Sequence, residues 1–464
     1  MKKTLTKKTY AFGWHYPEKN SAKTSAGLSE DVVKKISALK QEPAWMLAFR
    51  LQGYQKFLAK KMPAWGGDLS QLNFQNIHYF VRPESAPSKN WQDVSPDIKK
   101  TFDRLGIPEA EKKFLAGVGA QYDSETVYHN LSAELKKLGV IYASMDEAVQ
   151  KYPDLVKKYF GTLIPALDNK FAALNSAVWS GGSFVYVPKG VKVERPLQAY
   201  FRINAARMGQ FERTLIIIED EAEAHYIEGC TAPTYSENSL HAAVVEVFVG
   251  KNARFRYTTI QNWSDNVFNL VTKRARVETG GSMSWVDGNL GSCLTMKYPS
   301  CYLMGAGAHG ETLSLAWAGH NQHQDTGAKM IHVAPQTTSQ IVAKSVSSGT
   351  GRTSYRGLVQ IDKSADGARA RVQCDALLLG AKAKSDTYPT NIKKNATAII
   401  EHEASVSQLD EKRLAYLQSR GLSESRARSL MVQSFFDPII RHLPMEYALE
   451  LKELINLEME GSVG

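Results

Sequence analysis

Four cysteines, Cys230, Cys293, Cys301 and Cys374, carry most of the chemistry this sequence can offer. A thiolate is both a nucleophile toward sulfur and a soft ligand for iron, zinc or copper. No two of them form a CxxC pair, so neither a zinc ribbon nor a ferredoxin-type site can be built locally. Any metal centre must be assembled from distant segments or from two chains. The run Glu401-His402-Glu403 adds harder ligands, and on an extended segment its two carboxylates share one face while the imidazole takes the other. His320, His323 and His332 resemble a metal set, but residues three apart on a strand face opposite ways, so these read as structural histidines. Gly305-Ala306-Gly307-Ala308-His309-Gly310 fits GxGxxG, yet Glu311–Leu315 continues as a strand pattern and not as the helix a dinucleotide site needs. Gly349-Thr350-Gly351-Arg352-Thr353 lacks the leading glycine and the lysine of a P-loop. No ATP site can be read.

The elements that must position these residues fall into three stretches. Residues 1–178 read as an N-terminal helical region. Ser29 is placed to cap a helix carrying Val32, Val33 and Ile36, another begins after Pro43, and further helices are expected over Asp97–Leu105 and Ser124–Leu138. From residue 179 to 406, short runs rich in Val, Ile, Thr and aromatics recur without helices between them, as in Phe184–Val187, Arg213–Ile218 and Ala396–Ile400. That length of all-β sequence suits a solenoid or a large barrel. Residues 407–464 return to helical spacing, with a stop at Gly421, a cap at Ser423 and a third helix opened by Pro444.

The chain has 464 residues, 43% of them hydrophobic, which is ample for a large core. Four cysteines are too few for a disulfide framework and fit a reducing compartment. The basic start, MKKTLTKK, is not followed by an apolar signal segment, and runs such as Leu215–Ile218 are far short of the ~20 residues that span a bilayer. A soluble, cytoplasmic protein is expected, without membrane association. The net charge of +10 is spread among acids, as in Glu109–Lys113, so nucleic acid is not expected as a partner either.

Several stretches together carry more information than any one motif: NKFAALNSAVW at 169–179, YIEGCTAP around Cys230, TIQNW at 259–263, VTKRA at 271–275, TGAKMIH at 326–332, SYRGLV at 354–359, QCD around Cys374 and EHEASVS at 401–407. Over nearly the whole chain the sequence closely resembles the SufB family, the scaffold subunits of Suf iron-sulfur cluster assembly. The resemblance implies a right-handed parallel β-helix between two helical domains, the C-terminal one docking the SufC ATPase. It implies SufD, or a second SufB, as partner through the β-helix, and sulfur delivery by a cysteine desulfurase with a relay protein. The chain would then be a scaffold without an ATPase site of its own, ATP acting only through SufC. A transient iron-sulfur cluster of the 4Fe-4S type is the expected cargo, with reduced FAD as a further ligand in some family complexes.

By the same resemblance, Cys230 corresponds to the sulfur-accepting cysteine and Cys374 to the cysteine of the assembly site. Arg202, Asn204, Gln261, Trp263 and Lys273 correspond to residues along an internal sulfur path. Glu401, His402 and Glu403 are placed at the nascent cluster site, where strand parity and the match of a soft thiolate with a harder, exchangeable carboxylate single out Cys374 and Glu403 as this chain's pair of metal ligands, His402 facing a neighbouring chain. If coils repeat at 27 or 28 residues, Arg202 stacks on Cys230 and Glu401 on Cys374. A SufD-like structural subunit is the alternative, and Cys230 with the Glu-His-Glu run speaks against it. A secreted β-helix enzyme acting on polysaccharide would want clustered carboxylates, which are not evident.

Overall fold

The computed structural model describes residues 20–84, 96, 98, 100, 115–204, 207–232 and 238–443, and in the last segment 448, 449, 451–453, 455, 456 and 459. Between Ser183 and Gln408 the chain alternates between two long sheets, laying each new strand parallel to the one a coil earlier. The result is a parallel β-solenoid of about 8 turns. One sheet runs through Leu197–Arg202, Glu223–Thr231, Arg254–Trp263, Ser282–Gly291, His309–Ala318, Thr338–Ser348, Arg369–Leu379 and Ile399–Gln408. The other includes Arg213–Ile218, Val244–Val249, Val267–Val277, His323–His332, Arg352–Ile361 and Lys384–Lys393. Side chains at alternate positions of both sheets meet in the lumen. Tyr226, Tyr257, Trp285, Met283 and Met330 pack there as one core cluster.

Register fixes the coil at about 30 residues. Cys230 lies beside Phe201 on one side and Gln261 on the other, and Cys374 beside Ala343 and Ala404. The stacking expected from spacings of 27 and 28 is therefore corrected. Arg202 pairs with Thr231, and Glu401 with Arg371. A slip of one residue moves a side chain to the opposite face of the sheet, so Arg202 points away from the lumen that Cys230 enters.

The helices follow their caps. The Ser29 hydroxyl accepts from the Val32 N–H at the start of Glu30–Leu39, and Ala44–Ala59 begins directly after Pro43. Asn169 caps Lys170–Val178, a helix whose residues are nearly all buried. The helix expected over Ser124–Leu138 is not formed. Gly117–Tyr122 and Glu125–Leu131 make an antiparallel hairpin, with Asp123 at φ 54° in the turn, and only Ala133–Lys137 is helical. Thr126-Val127-Tyr128 is a β-favouring run, and pairing of Gly117–Tyr122 with Leu197–Arg202 outweighs helical spacing. The helix expected over Asp97–Leu105 lies, for most of its length, outside the described residues, as does the Pro444 start of the third C-terminal helix.

At the C-terminal end, Asp410 and Ser423 cap Glu411–Ser419 and Glu424–Ile440. The longer helix lays Val432, Phe436 and Ile439 on the outer face of the first sheet, against Ile260, Val286 and Trp317. Leu430 on this helix and Tyr416 on the shorter one stay about half exposed. The two ends of the solenoid differ. Antiparallel strands Glu125–Leu131 and Ile141–Ser144 close the first coil. On the last coil the strands Lys384–Lys393 and Ile399–Gln408 are exposed along most of their length. Among the described residues no helix is long and apolar enough to cross a membrane.

Candidate functional site in the solenoid lumen

Burying a charge inside a solenoid is costly unless it is paired, yet this lumen holds a run of ionisable groups. Glu228 and Cys230 alternate with outward residues on Glu223–Thr231 and so both point inward. Stacked on Glu228, coil by coil, are Thr259, Asp287, Ser314, Ala343 and Cys374. Five strand spacings of ~4.8 Å place Cys374 about 24 Å from the Glu228–Cys230 end. The facing sheet contributes Lys273 and Lys297 near that end, then Thr326 and Tyr355 in the column that continues from Lys297. One column, polar at every step but Ala343, thus connects the surroundings of the two cysteines.

At the Cys230 end, the thiol is buried and donates to the Glu228 carboxylate at 3.6 Å, while Glu228 also accepts a short hydrogen bond from the Tyr257 hydroxyl. Glu212 makes a short contact with His241, whose other ring nitrogen lies 2.7 Å from the Asn269 amide oxygen. Asn269 in turn donates to the Gln261 carbonyl oxygen at 2.8 Å, and Lys297 approaches the same oxygen at 3.2 Å. The Trp263 ring packs on His241 with centroids 4.6 Å apart. Potential ligand atoms of Glu212, Glu228 and Cys230 lie within 4.8 Å of one another. One sulfur and two carboxylates suit a transition-metal ion.

The field is divided. Burial, and then Glu228 and Glu212, push the Cys230 thiol well above its ordinary range, against the pull of Lys273 and Lys297. Burial also raises Glu228. In the closed lumen Cys230 is therefore a neutral thiol. Burial likewise opposes the charge on Asp287, but Lys273 at 3.3 Å and Lys297 at 3.2 Å prevail and lower it. Lys297 is brought down to about 8, mainly by burial. For His241, burial disfavours the charged ring, and Glu212 overcomes that to raise it.

The Asp287 bridge leads to a stability prediction. Asp287→Asn leaves two buried ammonium groups without their shared carboxylate and is expected to cost about 3–5 kcal/mol in chemical denaturation. Because the folded state holds this carboxyl below its ordinary 3.8, its contribution is present above that pH and is lost as pH falls through the lowered value. The wild type should therefore lose stability on acidification below pH 3.8 by an increment that the Asn variant lacks.

At the Cys374 end the ligands are arranged differently. Cys374 Sγ lies 3.5 Å from His402 Nε2 and donates to the backbone carbonyl of Glu403 at 3.6 Å. The parity expected for Glu401-His402-Glu403 holds: both glutamates line up with outward-facing Arg371 and Gln373, and His402 with inward-facing Val372. The side chain beside the sulfur is therefore His402, and not the Glu403 carboxylate taken as Cys374's companion. The Tyr355 ring meets His402 edge-on, and a cavity of about 20 Å³ beside Cys374, room for one water, is lined by Ser314, Thr326, Tyr355 and Thr387. Burial, and then Asp375, push the Cys374 thiol up to about 11.

Of the residues singled out in the sequence, the lumen brings together Cys230, Gln261, Trp263 and Lys273. Lys273 makes a short hydrogen bond to Thr259, and its ammonium lies 4.6 Å from the Tyr257 ring. Arg202 is fully buried on the other face, donating to Thr231 at 3.2 Å, and Asn204 lies past the strand end with its backbone N–H held by Asp123 at 2.7 Å. Glu212, Glu228, His241, Asp287 and Lys297 were not singled out; the available signal is a charge within a largely apolar strand run, as for Glu228 in Tyr226-Ile227-Glu228-Gly229-Cys230, and Glu212, outside any strand, lacks even that. Cys301 is sealed in the core, and Cys293 donates to the Val267 carbonyl at 3.2 Å; burial raises both to about 12. His332 is held between Thr337 and Ser339, and His323 by Ser354, which gives them structural roles.

Comparison with known proteins agrees with this architecture. Residues 31–199 match the family described as SufBD protein N-terminal region, and residues 201–435 the one described as SUF system FeS cluster assembly, SufBD core domain. An iron-sulfur cluster assembly SufBD family protein of Staphylococcus aureus strain MRSA252 is 56% identical over 455 residues, covering 98% of each chain. One from Staphylococcus haemolyticus strain JCSC1435 is 55% identical over the same length and share. With a solenoid body, two matched regions and relatives alike from end to end, the chain belongs to the SufBD family of iron-sulfur cluster assembly proteins.

Proposed function

We propose that this chain is the SufB-type subunit, taking up sulfur at Cys230 and holding a nascent iron-sulfur cluster at Cys374. The observation that carries the reading is the column from Glu228 through Thr259, Asp287, Ser314 and Ala343 to Cys374, polar at every step but Ala343 and buried inside the solenoid. In the uptake step the Cys230 thiolate attacks the terminal sulfur of a donor persulfide. A new S–S bond forms on Cys230, the donor leaves as a thiolate, and no oxidant is consumed. Sulfane sulfur needs two electrons to become sulfide, which reduced flavin is the class to supply. Both cysteines are neutral thiols when the lumen is closed, so an opening motion that admits water must precede each use.

The bare last coil, with Tyr388, Ile399 and Val406 exposed, suits pairing with the β-helix of SufD or a second copy. Cys374 and His402 would then be completed by ligands from that partner. The motion would be driven by the SufC ATPase docked at the C-terminal helices, where Leu430 and Tyr416 stay exposed. The chain itself would act as a scaffold in the cytoplasm. The test is anaerobic co-purification with its partners and native mass spectrometry. A complex with a second β-helix chain, an ATPase and cluster iron and sulfide is expected, with ATP turnover absent from this chain alone. Turnover by the isolated chain, or cluster on a complex lacking Cys374 contacts, would refute it.

A further inference from the structure

On the outer face of the second sheet, away from the lumen, lies a cavity of about 420 Å³. It is walled by the segment from Lys60 to Trp65, the start of the Lys170–Val178 helix, and the strands that carry Arg274, Tyr298 and Lys329. The volume falls within the range of small-molecule sites. Its lining is one-sided in charge. Lys60, Lys61, Lys170, Arg274 and Lys329 face a single carboxylate, Asp168. Lys273 also borders it, but its ammonium reaches inward to Thr259 and Asp287.

The cations are not equally free. Arg274 holds Asp168 at 2.8 Å, and the Lys170 ammonium is satisfied by the carbonyls of Phe57 and Lys60 at 2.7 and 2.6 Å. Lys329 is different. Half-buried, it has among the described residues no ion pair and no hydrogen-bond acceptor for its ammonium, which lies 5.7 Å from the Tyr298 ring. Burial depresses its pKa, outweighing the pull of Asp168, a carboxylate already held by Arg274. An aromatic wall stands beside it. Trp65, half exposed, packs at 5.7 Å from Tyr298, and its ring is polarised by Arg356 at 5.3 Å. A flat ring could lie on Trp65 and Tyr298 while an anionic group is taken by Lys329 and the neighbouring Lys60 or Lys61.

We propose that this cavity is a binding site for a small aromatic phosphate, its ring against Trp65 and Tyr298 and its phosphate at Lys329. The site stands apart from both cysteines, so it does not rest on the sulfur and cluster reading. The test is isothermal titration calorimetry on the full chain with 1-naphthyl phosphate, and with its two halves, 1-naphthol and inorganic phosphate. Saturable 1:1 binding of 1-naphthyl phosphate is expected, with each half at least about tenfold weaker. Lys329→Met, which keeps the alkyl stem, should weaken 1-naphthyl phosphate about tenfold and leave 1-naphthol unchanged. Trp65→Ala should weaken both. Absence of saturable binding, binding untouched by both variants, or inorganic phosphate alone binding as well as the aryl ester would overturn the proposal. Circular dichroism of each variant separates a lost site from a lost fold.

Discussion

Cys230→Ser is expected to remove persulfide loading of the complex, while Cys293→Ser and Cys301→Ser load as the wild type does. Burial raises the pKa of all three thiols, Cys293 being the least enclosed, so a raised pKa does not distinguish them. Their company does. Cys301 is sealed in the core among Leu303 and Met330, and Cys293 is bound to a backbone carbonyl. Cys230 has a carboxylate at hydrogen-bond range to take its proton and two lysines whose charge favours the thiolate. Once water enters, the largest obstacle to the thiolate, burial, is relieved, and the pull of the two lysines is then opposed only by Glu228 and Glu212. Incubation with a desulfurase system, followed by alkylation and mass spectrometry of sulfane adducts, reads the result. Roughly tenfold or greater loss is expected for Cys230→Ser, because serine oxygen does not accept sulfane sulfur. Equal loading in all three variants would remove Cys230 from the reaction.

The second large effect lies at the other end of the column. Cys374→Ala should abolish cluster accumulation on a complex that still assembles and still loads sulfur at Cys230. His402→Ala should follow it closely, since His402 Nε2 is the side-chain donor placed 3.5 Å from the sulfur. Burial lowers the pKa of His402, so the neutral imidazole that a metal requires is the form present near neutral pH. Glu403→Ala and Glu401→Ala should be milder, because both carboxylates point to the other face. Visible absorbance and iron and sulfide content after anaerobic isolation measure all four variants. A full cluster on His402→Ala with none on Glu403→Ala would restore the pairing of Cys374 with Glu403 and require the last strand to turn over in the complex.

Local signals in the sequence were easy to read where one residue decides the conformation. Ser29 and Ser423 cap helices because each hydroxyl accepts an N–H three residues on, and Gly421, at φ 91°, ends one. Strand content was equally legible in runs such as Arg213–Ile218. Coil length was not, because no repeat motif marks it. Register depends on how turns such as Gly280-Gly281 and Gly305–Ala308 consume residues between strands. An error of one residue is enough to set Arg202 on the wrong face, and one of three residues to stack Glu401 on Cys374. The buried charges of the lumen escaped for a related reason. Glu212 and Glu228 each look like an ordinary polar position until the register shows that they converge.

The unequal ends of the solenoid bear on how the protein is made. Its first coil ends in short antiparallel strands, which break the parallel stacking of the coils. The last coil ends in two long parallel strands with free backbone edges and exposed Ile399, Val406 and Tyr388, a ready template for any other extended chain. A newly synthesised copy is therefore at hazard from the moment residue 408 is in place until a partner covers that edge. If a second β-helix chain covers that edge, as proposed, balanced synthesis of the two serves quality control as well as chemistry, and an excess of this chain should be cleared by proteolysis or collect in aggregates.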